Sequence, residues 1–186
     1  MEAPSALNQV FARRWAVPIL AQLAGEGGCK FVSLASNLEG SRASLKASLG
    51  LLDTLGLVIP NSGTGHPMRP EYVLTERGKM ICEPAAALVR ALDRAGELES
   101  GLKKWSMPTV HVVHGGADRF GDIVRALSSA TDRAVSLALS DMQGSMYIDR
   151  NLVDGRPPFN VYRLSRKAKR FASILEAIDS VLCGDG

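Results

Sequence analysis

The sequence predicts a mainly α-helical chain with small β wings (α+β), built as two copies of one unit. Three observations predict it. Arg42 to Tyr72 reads as helix, strand, loop and return strand. A set of core and turn residues recurs at a constant offset along the chain. The composition, 46% hydrophobic but only 5% aromatic, suits aliphatic cores rich in Leu, Val and Ala. At 186 residues there is room for one ordinary domain or two small ones.

The offset is 90 residues, the distance from Trp15 to Trp105. The same step carries Pro18 to Pro108, Leu49 to Leu139, Pro67 to Pro157, Tyr72 to Tyr162 and Leu74 to Leu164. It also pairs Leu45 with Val135, Leu52 with Met142, Val58 with Ile148 and Thr75 with Ser165. With one residue deleted, Lys30-Phe31 meets Arg119-Phe120. Self-similarity at a fixed period marks a repeated architecture. The expected division is 1–95 and 96–186.

In chain order, Ala6 to Arg14 is expected to be helical, with Leu7, Val10, Phe11 and Arg14 at helical spacing. Trp15 to Leu23 starts a second helix, with Pro18 in the first turn, where a missing N–H costs little. Gly25 to Gly28 breaks it, and Phe31 to Leu38 forms a short helix. From Ser41, Leu45, Leu49 and Leu52 make the i, i+4, i+7 stripe of an amphipathic helix. Gly56 ends that helix, because glycine tolerates a left-handed backbone past the last turn. A strand through Val58-Ile59, a loop over 61–67 and a return strand at Glu71 to Leu74 follow. Thr75 looks like a helix cap, and a long helical segment runs from Lys79 to Lys104, with a break expected near Glu83-Pro84.

The second half is expected to repeat this order. Trp105 to His114, Phe120 to Leu127 and Thr131 to Gly144 are helical, and Met146 to Arg150 is a strand. Asn151 to Pro158 is a loop, Asn160 to Leu164 the return strand, and Ser165 opens the last helix. A helix followed by a two-stranded wing is the outline of a winged helix-turn-helix. Two in one chain make a tandem winged helix-turn-helix, an intrachain pseudo-dimer.

The run Trp15, Ile19-Leu20, Leu23, Phe31, Leu34, Leu45, Leu49, Leu52, Gly56-Leu57-Val58 and Pro70 to Gly78 resembles the HxlR-type winged-helix transcription regulators. The likeness is fullest over residues 7–95 and extends more weakly over 98–183 through the repeat. It implies a DNA-binding transcription regulator that has fused two units which relatives pair as homodimers. Many relatives carry a cysteine just before the tryptophan, used to sense oxidants; Leu7 to Arg14 contains none, which argues against thiol sensing.

Duplex DNA is held through phosphates by cations and read at base edges in the major groove. Arg42, Ser44, Lys46 and Ser48 are expected to face outward for this purpose, with Asn61, Thr64, His66 and Arg69 on the wing. Arginine can grip guanine with two hydrogen bonds, and serine suits a base edge or a phosphate. In the second half the candidates are Arg133, Ser136, Arg150 and Arg156. There Asp132 replaces Arg42 and Asp141 adds a second carboxylate, so unequal binding by the halves is expected. The net charge of +3 and pI near 8.9 are compatible with nucleic acid.

An aromatic or apolar small-molecule effector is expected in a cleft between the halves, lined by Phe11, Trp15, Trp105, Met107, His111 and Phe171. An alternative is a small-molecule sensing or sequestering protein of the self-resistance type, with weak or no DNA binding, suggested by the acidic second helix.

Enzymatic function has little support. The three histidines, His66, His111 and His114, lie in a loop and an apolar segment. No Gly-rich phosphate loop follows a strand, and no G-x-S-x-G appears. No catalytic residue, cofactor or metal is expected: Cys29, Cys82 and Cys183 are scattered, without zinc spacing, and read as reduced cytoplasmic thiols. No signal peptide and no membrane span are expected. The expected assembly is a monomeric pseudo-dimer or a homodimer.

Overall fold

A computed structural model describes residues 6–61 and 71–184. The first half comprises α1 (Ala6–Val10), α2 (Ala16–Glu26), β1 (Cys29–Lys30), α3 (Phe31–Asn37), α4 (Arg42–Thr54), β2 (Val58–Asn61), β3 (Glu71–Leu74) and α5 (Glu76–Arg94). The strands form an antiparallel sheet in the order β1-β3-β2. Helix α1 is shorter than the spacing predicts; turns fill 11–15. Ser41 caps α4 by accepting from the N–H of Ser44, satisfying a donor that the helix start leaves free. Gly56 turns left-handed (φ 66°) and lets the chain leave α4 directly into β2.

The long helix is not broken at Pro84. Helix α5 runs through it and stops at Arg94, and the reversal comes at Gly96 (φ 67°). Proline leaves the carbonyl four residues back, that of Met80, without a partner. Met80 is on the exposed side of α5, so water can take that bond.

The second half comprises α6 (Leu98–Gly101), α7 (Ser106–His114), α8 (Phe120–Ala126), α9 (Asp132–Gly144), β4 (Ile148–Val153), β5 (Phe159–Leu164) and α10 (Lys169–Cys183). Its details match the first half at the same 90-residue step. Helices α4 and α9 both have 13 residues, and Thr131 caps α9 as Ser41 caps α4. Val58 pairs with Leu74, and Ile148 with Leu164; Pro60 pairs with Tyr72, and Arg150 with Tyr162. The Thr75 hydroxyl donates to Gly56 O (2.6 Å) and the Ser165 hydroxyl to Met146 O (2.7 Å). Met146 even takes the left-handed backbone (φ 56°) of Gly56. Strands β4 and β5 extend further than expected, which narrows the loop to 154–158.

The two closing helices begin differently. Helix α5 starts at Glu76, immediately after Thr75, whereas α10 starts at Lys169, four residues past Ser165. A Cβ on Gly78 would lie 2.0 Å from Leu57 O, so only glycine lets the first turn of α5 sit that close. Ala168 holds the corresponding place in the second half. Gly78→Ala is expected to cost about 1–3 kcal/mol by forcing that turn outward. A lowered urea midpoint checks it; an unchanged midpoint would show that the turn yields freely.

One aliphatic core runs through both halves. Helices α5 and α10 pack on each other, α2 covers α5, α7 covers α10, and α1 reaches across to α10. Leu88 and Leu92 join Phe171, Leu175 and Ile178 in that core, all with no exposed surface. Cations at the helix starts secure the opposite ends: Arg77 donates to Leu182 O, and Lys167 donates to Ser145 O (3.1 Å) and reaches Glu97 (3.5 Å).

Glu97 sits in the turn between α5 and α6 and gathers a polar cluster. It accepts from the hydroxyls of Ser100 (2.6 Å) and Ser145 (3.0 Å). The Ser100 bond chiefly, then Ser145 and Lys167, holds its carboxyl below the ordinary 4.5, against the opposing effect of burial. A depressed carboxyl stabilises the fold above its unfolded pKa and loses that contribution as pH falls through the folded value. Stability is therefore expected to decline as pH drops below 4.5, with a shallower decline in Glu97→Gln. Denaturant titrations across that range check it; identical acid limbs would remove Glu97 from the account.

Candidate nucleic-acid interface

Helix α4 is two-faced. Leu45, Ser48, Leu49 and Leu52 are buried, while Arg42, Ala43, Lys46, Gly50 and Asp53 are exposed. Neither Arg42 nor Lys46 takes part in an ion pair among the described residues. The Lys46 ammonium lies 5.8 Å from the Phe31 ring centroid, a weak hold that steadies the stem and leaves the charge available. Ser44 is half-buried.

Ser48 departs from the expected outward face. It has no exposed surface, and its hydroxyl donates to Ser44 O (2.9 Å). Three residues past Leu45 on a helix is the same side as Leu45. Ser48→Ala is accordingly expected to leave duplex affinity within about twofold; a larger loss in a binding titration would contradict this placement.

Asn61 closes β2 opposite Glu71 and is half-buried. Thr64, His66 and Arg69, the other expected wing contacts, lie outside the described residues. So does Ser62.

On α9 the exposed side chains are Asp132, Arg133, Ser136, Leu137 and Ser140. Asp141 is tied to Lys103 at 2.9 Å. The face thus carries one carboxylate, one guanidinium and a 57%-exposed leucine, a poorer match to phosphates than α4. Arg150 and Arg156 are exposed on the second wing. Arg163, which the sequence reading passed over, is exposed on β5 opposite Asp149. The repeat hid it, since Val73 stands at the matching place.

The six residues expected to line one cleft are dispersed. Phe11, Met107 and Phe171 are at most 2% exposed and belong to the core. Trp15 packs where the turn before α4 passes; a Cβ on Gly40 would lie 2.9 Å from its ring. Trp105 sits beside α9. His111 bridges α7 to α10, with Nε2 3.4 Å from Asp179, and His114 lies 3.1 Å from Glu176. Helices α5 and α10 pack directly on each other between the halves.

The cysteines are free thiols, Cys29 and Cys82 buried and Cys183 exposed. Burial, then the charge of Glu83, pushes the Cys82 thiol up; burial, then Asp179, does the same at Cys183. Both hold the reactive thiolate down. Among the described residues no group of three or more His, Cys, Asp or Glu is placed to hold a metal. No described helix is long and apolar enough to cross a membrane.

Neither the curated proteins nor the solved structures give a match. The family comparison does, on the half where the motif likeness was weaker, over the stretch that holds α7 to α10 and both strands of the second wing. Residues 102–182 match the family model of the HxlR-like helix-turn-helix.

Proposed function

We propose that the chain is a DNA-binding transcriptional regulator made of two winged helix-turn-helix units, 1–95 and 96–186, fused as an intrachain pseudo-dimer. The observation that carries this reading is the pairing of α4, with Arg42 and Lys46 exposed, to α9 at the same place in a segment that matches the HxlR-like helix-turn-helix. The matching ladders, caps and left-handed turns support the duplication.

The two halves contribute unequally. Arg42, Ser44 and Lys46 supply the main contacts, with Asn61, Thr64, His66 and Arg69 on the first wing. Arg133, Ser136, Arg150 and Arg156 add a weaker second set, because Asp132 repels phosphate beside Arg133. The preferred duplex is therefore asymmetric, with one strongly read half-site.

The experiment is selection of bound duplexes from a random pool by the full chain, followed by affinity titration at several salt concentrations. Recovery of a shared asymmetric motif with salt-sensitive affinity is the expected result. Enrichment of no sequence, together with no duplex affinity at low salt, overturns the proposal.

A further inference from the structure

The outer edge of the second wing is open. Strand β4 pairs with β5 on one side, and no described strand pairs with its other side. In an antiparallel ladder every second residue turns its N–H and C=O toward the neighbour. The Ser165 N–H donates to Tyr147 O, so Tyr147 turns toward the partner strand. By alternation Asp149, Asn151 and Val153 do the same, and the N–H and C=O groups of Arg150 and Leu152 point outward. Tyr162, opposite Arg150, agrees: its N–H turns away from β4, to Asp118 O (2.7 Å). The outward groups of Arg150 and Leu152 make no backbone bond among the described residues.

The first wing blunts the same edge. Pro60 stands at the place of Arg150, each of them opposite a tyrosine. Proline has no N–H to offer, and its presence on an edge strand hinders pairing with another chain. The second wing has no proline there, and it exposes Leu152 by 69%. Unpaired backbone groups beside an exposed apolar side chain are a template for a further strand.

Charge selects how β4 meets its own copy. Two copies related by a two-fold axis run antiparallel about one central residue. Centred on Asp149 or Arg150, like charges meet at the middle. Centred on Asn151, Arg150 faces Leu152 and has no opposite charge. Centred on Val153, Arg150 faces Arg156. Centred on Leu152, leucine faces leucine, and Arg150 faces Asp154 on both sides of the axis. Arg150 and Asp154 are both exposed and belong to no ion pair among the described residues. That register also lets the outward N–H and C=O of Leu152 bond the same residue of the second copy.

We propose that the chain pairs with a second copy of itself through the outer edge of β4, antiparallel and centred on Leu152. The interface is one strand wide, so the dimer is weak and forms at high protein concentration. It does not depend on duplex binding, and the test omits DNA.

Sedimentation equilibrium of the full chain over a wide concentration range is expected to show a monomer–dimer equilibrium. Arg150→Pro places the first half's residue at the edge and should leave only monomer. Arg150→Asp and Asp154→Arg each set like charges together on both sides of the axis, and each should weaken the dimer by about tenfold. Arg150→Asp combined with Asp154→Arg restores both pairs and should return the dissociation constant to within about threefold of the original. The two side chains are exposed, so circular dichroism should be the same for the charge variants. Monomer at every concentration, a dimer indifferent to these substitutions, or a combined variant no better than the single ones overturns the proposal.

Discussion

Replacing Arg42 and Lys46 together by alanine is expected to weaken duplex binding by about 10- to 100-fold at moderate salt. Both side chains are exposed on one face of α4 and belong to no ion pair among the described residues. Their charge is thus available to release counterions from DNA. Each phosphate contact adds about 0.9 to the slope of log affinity against log salt, so the double variant should flatten that slope by about 2 if both touch phosphate. If Arg42 reads a guanine instead, its single variant should relax preference at one base pair by about 1–3 kcal/mol while keeping most of the slope. Arg133→Ala should cost less, since Asp132 stands next to it on α9. Full affinity in the double variant, with an unchanged slope, would remove α4 from the interface.

Phe171→Ala is expected to cost about 3–5 kcal/mol of folding stability. The ring is completely buried and meets Tyr147 edge-on, with centroids 5.1 Å apart at 71°. Such a contact adds to the loss of burial and to the cavity left behind. Because α5 and α10 share one core, the whole chain should still unfold in a single transition at a lower urea midpoint. A loss under about 1 kcal/mol would restore Phe171 to a ligand-facing role, since a side chain lining an open site leaves little cavity when removed. Two separate transitions would instead show that the halves fold independently.

What was legible before the structure was what depends on neighbours in the chain. The cap Thr75, the left-handed Gly56, and the stripe Leu45, Leu49, Leu52 each act within one or two turns, and they stand where spacing put them. The recurrence was legible because matching ladders and turns ask for the same residue types at the same step. Ser48 was misread for a local reason. Arg42, Ser44, Lys46 and Ser48 alternate every second residue, the period of a strand, and a helix cannot show all four on one side.

Other features depended on which surfaces meet. Pro84 does not stop α5, and the residue whose carbonyl it orphans, Met80, is on the exposed side, which no composition rule foretells. Phe11, Met107 and Phe171 share one core because α5 lies on α10. The Ser106 hydroxyl is buried without a partner among the described residues, which spacing alone does not foretell. By itself the sequence determined the elements and their repetition, since backbone preference and hydrophobic period are local. Only the tertiary structure decided which side chains stay in water, since burial is set by contacts between segments far apart in the chain.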